Sequence, residues 1–465
     1  MSFSLLFLFT ACGSTTIVNN QYYTVPAATD TAADTAADTG NGLPTVAGAD
    51  PVSYDGSPEI TTDVADMTID LFANDGNTVY WDVSAEQVQA MNDAWSNSYS
   101  TGYYYEVGNG DTYADHLVAT DVVTGQTADY GKVQLSVVGQ STGMLWSDTS
   151  IPDLSGDMDE FQDGLTIGGA EHIRFNNGMV SSIFREAIAL QIFDGLGYPA
   201  PRTSFQWVGS NVYDPSVRIP YTLVESYHKD AWCVDHADQM GGGCVNIWEG
   251  QGDLADMGSQ CQEKECDNTG LDELNQVLAD NPPGSSTFYS ATQEKVDWQM
   301  VQQHMCFDWI MWVGDDYFHN DNNVVLVEGA DGKFRLLPYS SDISGGQDWY
   351  QNVSLYGRSQ LAVGCERNVD CWADTLATCQ TTIDAFQALD PVSIVNNIHD
   401  RLVAQDMIRG GDEDTYQELL TWYGDRAAEG TLETELLSYP KLGQDCTATT
   451  RGGGGLDTGG GSPCN

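Results

Sequence analysis

Between Asp297 and Gly346 the chain runs from an apolar helix through a dense polar loop into a tight hairpin, and leaves it through a second polar loop. Trp298, Val301, Met305 and Trp309 recur near helical spacing over 297–313. The next ten residues, Gly314 to Asn323, hold Asp315, Asp316, His319, Asn320, Asp321, Asn322 and Asn323. The segments Val324 to Val327 and Phe334 to Leu337 around Asp331-Gly332 read as a hairpin, and 338–346 is polar again. Polar groups packed between a buried helix and a strand are costly unless solvated or paired. The hairpin returns the chain beside its own start, so the two loops must lie together.

The rest of the sequence places this unit in a larger α+β design. Met67, Ile69 and Leu71 alternate as in a strand, and Ser84 with Gln87 forms a capping box for a helix carrying Val88, Met91 and Trp95. Val133, Leu135 and Val137 predict a strand closed by Gly139; a helix follows from about Met179 to Leu196, stopped by Gly197. Ile219 to Glu225 is strand-like, and Asp390-Pro391 opens a helix running to Arg409. The pattern is a β-rich N-terminal half followed by a mostly helical C-terminal half. With 41% hydrophobic residues in 465 positions, a large core is available.

The ends of the chain speak to its location. Met1 to Ala11 is apolar or small, too short for a membrane span of roughly 20 residues. It fits a signal peptide. The small residues before Cys12 resemble a bacterial lipobox, which implies lipidation of Cys12 and attachment to the cell envelope, the only membrane contact expected. No Lys or Arg precedes Cys12, as a signal peptide would normally have. Residues 13–50, with Ala-Ala-Asp-Thr repeated at 32–35 and 36–39, read as a disordered acidic tether, and 446–465 as a Gly-rich tail. Ten cysteines remain besides Cys12, an even number that suggests disulfides in an exported chain. The competing reading is a zinc site of Cys261 and Cys266 completed by Cys233 and His236.

Acidic residues number 68 against 17 basic ones, a net charge of −51. Such a surface repels nucleic acid, so no nucleic-acid partner is expected. It suits a salty or cation-rich medium better than a specific calcium site, because no spaced Asp loop ending in Glu is present.

Where the two polar loops meet, an Asp, an Asn and a second Asp can converge. Hard oxygen donors of this kind suit Mg or Mn carrying phosphate oxygens. In phosphoryl transfer one Asp handles the attacking hydroxyl, while an Asn and a second Asp hold the metal. Asp315, Asp321 and Asn322 read as turn formers, His319 as their neighbour more than a metal ligand, and the Trp and Met residues of 298–312 as core.

At these residues the chain resembles the spore-coat CotH kinase family of atypical secreted or surface protein kinases. The resemblance continues through Ile173-Arg174-Phe175-Asn176-Asn177, the helix with Arg185-Glu186, Leu196 to Arg202, and Tyr221 to Glu225. It spans about 60–389, followed by a helical extension over 390–445. It implies a two-lobed protein-kinase-like fold, with Asp316 as the catalytic base and Asn323 and Asp342 as metal ligands. Arg174, Arg185 and Glu225 would line the nucleotide side. The implied activity is transfer of the ATP γ-phosphoryl group to Ser or Thr of exported proteins with Mg or Mn. Ser136, Val138, Ser155, Gly156 and Asp157 stand where the family tends to be basic, and Ser340 replaces a common Asp. A catalytically weak or dead surface protein, acting as ligand, adhesin or structural component, is the alternative.

Overall fold

The computed structural model describes residues 69–101, 112–138, 145–147, 152–178, 182–212, 217–262, 266–346 and 353–439. Cys12, the tether, Met67, Gly139, Cys446, Cys464 and the Gly-rich tail lie outside them.

The first part is a nine-stranded sheet of β1 (Thr78–Asp82), β2 (Tyr113–Ala114), β3 (His116–Thr120), β4 (Thr127–Asp129), β5 (Val133–Val138), β6 (Asp153–Asp157), β7 (His172–Asn176), β8 (Thr203–Ser210) and β9 (Ile219–Glu225). Their order is β2-β5-β6-β7-β9-β8-β1-β3-β4, antiparallel except for the β1–β8 pair. The central strands β8 and β9 are almost wholly buried, as strands covered on both faces must be. Pro220 is tolerated inside β9 because β7 stops pairing at Asn176↔Thr222, so no β7 partner is denied an N–H there.

Helix α1 (Ala85–Thr101) starts at Ser84, whose Oγ accepts from Gln87 N at 3.3 Å. The reciprocal half of the expected box is absent: Gln87 Oε1 accepts from Tyr113 N at 3.0 Å instead. Ile69 and Leu71 are buried but form no strand, because Asp70 Oδ1 accepts from the amides of Phe72 and Ala73 and turns the chain. Helix α2 (Arg185–Gly195), between β7 and β8, starts later than the periodicity predicts; Ser182, just before it, has a φ of 77°.

The second part is largely helical: α3 (Trp232–Asp235), α4 (Thr269–Asp280), α5 (Phe288–Thr292), α6 (Trp298–Met311), α7 (Tyr317–Asn320), α8 (Gln360–Glu366), α9 (Val369–Leu389), α10 (Pro391–Ala404), α11 (Asp412–Ala427) and α12 (Thr431–Ser438). The predicted hairpin is β11 (Val324–Gly329) with β12 (Phe334–Leu337), widened to three strands by β10 (Cys244–Gly250). Asp297 caps α6 and Asp390 caps α10, as their positions suggest. The α10 helix ends at Ala404, short of Arg409. The α+β class holds, with strands concentrated in the first part and helices in the second.

One hydrophobic core fills one face of the sheet around Trp81, Leu154, Ile173, Phe175 and Leu223. A larger one joins α2 and the other face, at Phe205, Trp207 and Val224, to the helical part, including Val395, Ile398 and Leu419 of the C-terminal helices. Those helices therefore complete the core. Arg401 pairs with Asp75 at 2.6 Å, and Arg409 donates to the carbonyls of Asn177 and Gly178 at 2.6 and 3.3 Å.

Four disulfides form: Cys233–Cys244, Cys261–Cys266, Cys306–Cys379 and Cys365–Cys371. The disulfide expectation holds for these eight cysteines, and the zinc reading of Cys233, Cys261 and Cys266 does not. Such bonds suit an oxidising, extracytoplasmic compartment. No described helix is long and apolar enough to cross a membrane. The Cys306–Cys379 bond joins α6 to α9 across 73 residues. Replacing both cysteines with alanine is expected to cost about 2–4 kcal/mol, read as a lower urea midpoint with a steeper slope, because the denatured chain loses its cross-link.

Candidate functional site

Strands β6 and β7 divide their side chains by face. Leu154, Ile173 and Phe175 enter the core, whereas Asp153, Ser155 and Asp157 of β6 share the other face with His172, Arg174 and Asn176 of β7, paired Ser155↔Arg174 and Asp157↔His172. This polar face looks toward the loop after β12, where the Arg174 guanidinium lies 4.2 Å from the Tyr339 ring centroid.

Four carboxyl groups gather at one end of the face. Asn177 N donates to Asp153 at 2.6 Å, and Asn176 Nδ2 donates to Glu186 of α2 at 2.9 Å. Burial, reinforced by the charge of Glu186, pushes Asp153 up to about 7 against the Asn177 amide and Arg174. Glu186 is raised as well, by burial, against Arg174 and Asn176. Asp342 also reaches about 7, through burial and then the charges of Glu186, Asp315 and Asp153. Arg174 is the basic side chain whose charge acts on both Asp153 and Glu186. A concentration of buried carboxylates around one guanidinium calls for a cation, and hard oxygen donors fit Mg or Mn.

The two loops bracketing the hairpin are held in unusual backbone. Trp312, Asp321, Asn323 and Ser340 all have positive φ, of 53°, 52°, 48° and 52°. Bulky residues rarely adopt this conformation, and strain of this kind concentrates at functional sites. Asn323 Nδ2 donates to the Asp315 carbonyl at 2.6 Å, while Asn320 and Asn322 donate to Asp315 Oδ1 at 2.6 and 3.0 Å.

The structure brings Arg174 and Asp342 to the same two carboxyls, Asp153 and Glu186, with Asn323 tied to Asp315, whose charge reaches Asp342. It places Asp316 differently from the sequence expectation. Asp316 is 5% exposed and caps α7, accepting from His319 N at 2.7 Å and from His319 Nδ1 at 2.9 Å. Burial would raise Asp316, but the charge and hydrogen bonds of His319 outweigh it and hold the carboxyl below its ordinary range. His319 Nε2 in turn lies 2.6 Å from the Ser354 carbonyl. Asp308 lies beside it, its carboxyl driven far up by burial and by the adjacent Asp316. Asp315 is the more exposed of the two aspartates.

The other two nucleotide-side candidates, Arg185 and Glu225, are engaged elsewhere. Arg185 turns away, donating to the carbonyls of Ser344 and Gly345 at 2.6 and 3.0 Å and to Glu418 at 3.1 Å. Glu225 pairs with Ile173, on the core-facing side of β7, and binds Arg202 at 2.7 Å. Glu186 and Asp153 were missed. Glu186 adjoins Arg185 in α2, and Asp153 opens β6, two positions ahead of Ser155.

No family model matches this chain, and no curated protein does. Among solved structures it is similar to the crystal structure of a Helicobacter pylori proinflammatory kinase, CtkA, at 13% identity over 57% of this chain and 90% of that one, with a TM-score of 0.28. No residue is assigned by that likeness.

The raised carboxyls give a pH signature. A carboxyl with a folded pKa near 7 and an unfolded value near 4 keeps its proton more tightly when folded, so stability falls as pH rises from about 4 to about 7. In chelator, the melting temperature is expected to drop across that window. Asp342→Asn should flatten the drop and raise the pH 8 value by roughly 2–8 °C. Mn should restore the wild-type protein at pH 8 and have less effect on the variant.

Proposed function

We propose that the chain is a protein kinase-like phosphotransferase, using ATP with Mg or Mn to phosphorylate Ser or Thr of exported proteins. The observation that carries this reading is the meeting of Arg174 and Glu186, from a strand and the helix after it, with Asp342 from the loop after the hairpin. A strand cation beside a helix Glu, facing a metal-binding Asp, is the constellation that phosphoryl transfer by kinases requires. The order of elements agrees: strands, helix α2, strands β8 and β9, and, beyond β10 and helices α3 to α5, the apolar helix α6, a polar loop, a hairpin and the Asp342 loop.

In this reading Asp342 and Asn323 hold the metal, which would neutralise charge on the phosphates. Arg174 binds phosphate oxygens, and Glu186 with Asn176 orients this end of the cleft. Asp315 takes the role of the base expected of Asp316, because it is more exposed and faces Asp342. Asp316, saturated by His319 and α7, holds the loop in shape. The address rests on the disulfides and on the expected lipid at Cys12, with exported proteins as the accessible partners.

The assay is transfer of label from radiolabelled ATP in the presence of Mn or Mg. Asp315→Asn is expected to lower kcat by about 10²–10⁴ with little change in melting temperature. Asp316→Asn should lower the melting temperature and reduce activity in proportion to the loss of folded protein. The assignment of the base fails if Asp316→Asn abolishes turnover in a fully folded protein while Asp315→Asn does not. Wild-type protein with no metal-dependent transfer would instead favour the inactive surface protein.

A further inference from the structure

At the opposite end of the β6–β7 polar face, ~13 Å from Asp153 at about 3.3 Å per residue, stands a second cluster. Glu171, His228 and Asp230 each offer one ligand atom, and these lie within 4.8 Å of one another; Asp157, Asp159 and His172 form an adjoining trio by the same measure. The imidazoles of His172 and His228 stack at 4.6 Å between centroids and 17° between planes. The first trio comes from the residue before β7 and from the segment after β9, which leads into the helical part.

The two trios differ in what they lack. His172 Nε2 is paired with Asp157 at 3.1 Å. Glu171 is 8% exposed, and its Oε2, buried and accepting no hydrogen bond, is pressed against His228 Nδ1. The Asp230 amide lies 3.4 Å from the same Nδ1, a long contact that a metal at that nitrogen would displace. Asp230 is exposed and keeps one side open.

We propose that Glu171, His228 and Asp230 form a site for one divalent transition-metal ion of the zinc class, with Asp157, Asp159 and His172 as its charge-balancing support. One imidazole with two carboxylates gives three protein ligands and leaves a fourth position for water. The imidazole separates it from the Asp342 cluster, whose donors are all oxygen and favour Mg or Mn. Ser226 N donates to the His172 carbonyl at 3.0 Å, and Tyr227 Oη donates to the Pro338 carbonyl at 2.5 Å. An ion at His228 therefore fastens the segment joining the two parts to the edge of β7.

The test uses the full chain with disulfides intact, stripped by chelator, in an Asp342→Asn background that removes the other cation site. Co(II) titration should give one equivalent of tight binding with the visible absorption of imidazole-ligated cobalt, displaced by Zn(II). His228→Ala and Glu171→Gln should each weaken binding by about 10–100-fold. Melting temperature in chelator checks that the variants still fold, and Glu171→Asp serves as a second, milder variant if Glu171→Gln does not. The proposal is overturned if the Asp342→Asn protein binds no Co(II) or Zn(II), or if folded His228→Ala keeps the full affinity and absorption.

Discussion

The buried guanidinium of Arg185 joins the sheet-bearing part of the protein to the loop that carries its chemistry. At 4% exposure it can persist only because carbonyls and a carboxylate take its protons, and those partners are the carbonyls of Ser344 and Gly345 and the carboxylate of Glu418. Three elements thus meet in one side chain: α2, the loop after Asp342, and α11 from the C-terminal region. Gly345 fits there because a Cβ would come within 2.7 Å of Leu419 and 3.3 Å of the Arg185 guanidinium, and because its φ is 67°. Glu186 is the next residue of α2, so the clamp that fixes Arg185 also fixes how Glu186 meets Asp342.

This dependence explains the place of the C-terminal helices. A swing of α2 away from the Asp342 loop would strand two carbonyls and a buried charge, and would part α10 from the sheet. The salt bridge from Arg401 to Asp75 and the contacts of Arg409 with Asn177 and Gly178, just ahead of α2, tie α10 and the segment after it to the same part of the protein. The arrangement of Arg174, Glu186 and Asp342 is accordingly preorganised by the fold, which is what electrostatic work on a charged substrate requires.

Much of this was legible in the sequence, and the limits have a physical cause. β5, α6 and the hairpin were plain because each buries one face at a fixed period, and Asp297 and Asp390 announced helix starts through their own capping chemistry. The convergence of the two loops followed from the hairpin alone. Periodicity does not say which of two adjacent residues, Arg185 or Glu186, faces the cleft, since α2 is buried nearly all round. The placing of Glu225 was hidden for a related reason: register with Ile173 puts it on the core-facing side of the sheet, and register is a tertiary property. Asp315 and Asp316 differ by one position, and the choice between them is made by His319, which draws Asp316 inward as a cap. Ile69 and Leu71 alternate like a strand, yet Asp70 between them prefers the amides of its own turn.

The scarcity of basic residues has a consequence for how the cleft can hold an anion. Arg202, Arg335, Arg401, Arg409 and Arg426 each pair with a carboxylate of the fold, and Arg185 is committed to its clamp. Arg174 faces Asp153 and Glu186, with the carboxyls of Asp342 and Asp315 close by. An approaching phosphate meets more negative than positive charge there, so the bare cleft repels it. On the phosphotransferase reading, divalent ions held at Asp342 and Asn323 would reverse that balance and make the carboxylates the means of binding. The raised carboxyls are the energetic record of the same design, because a site that resists ionising when empty gains most when a cation arrives. On the phosphotransferase reading, metal and nucleotide must therefore enter together, and the strongly acidic composition becomes workable in a medium that supplies the cation.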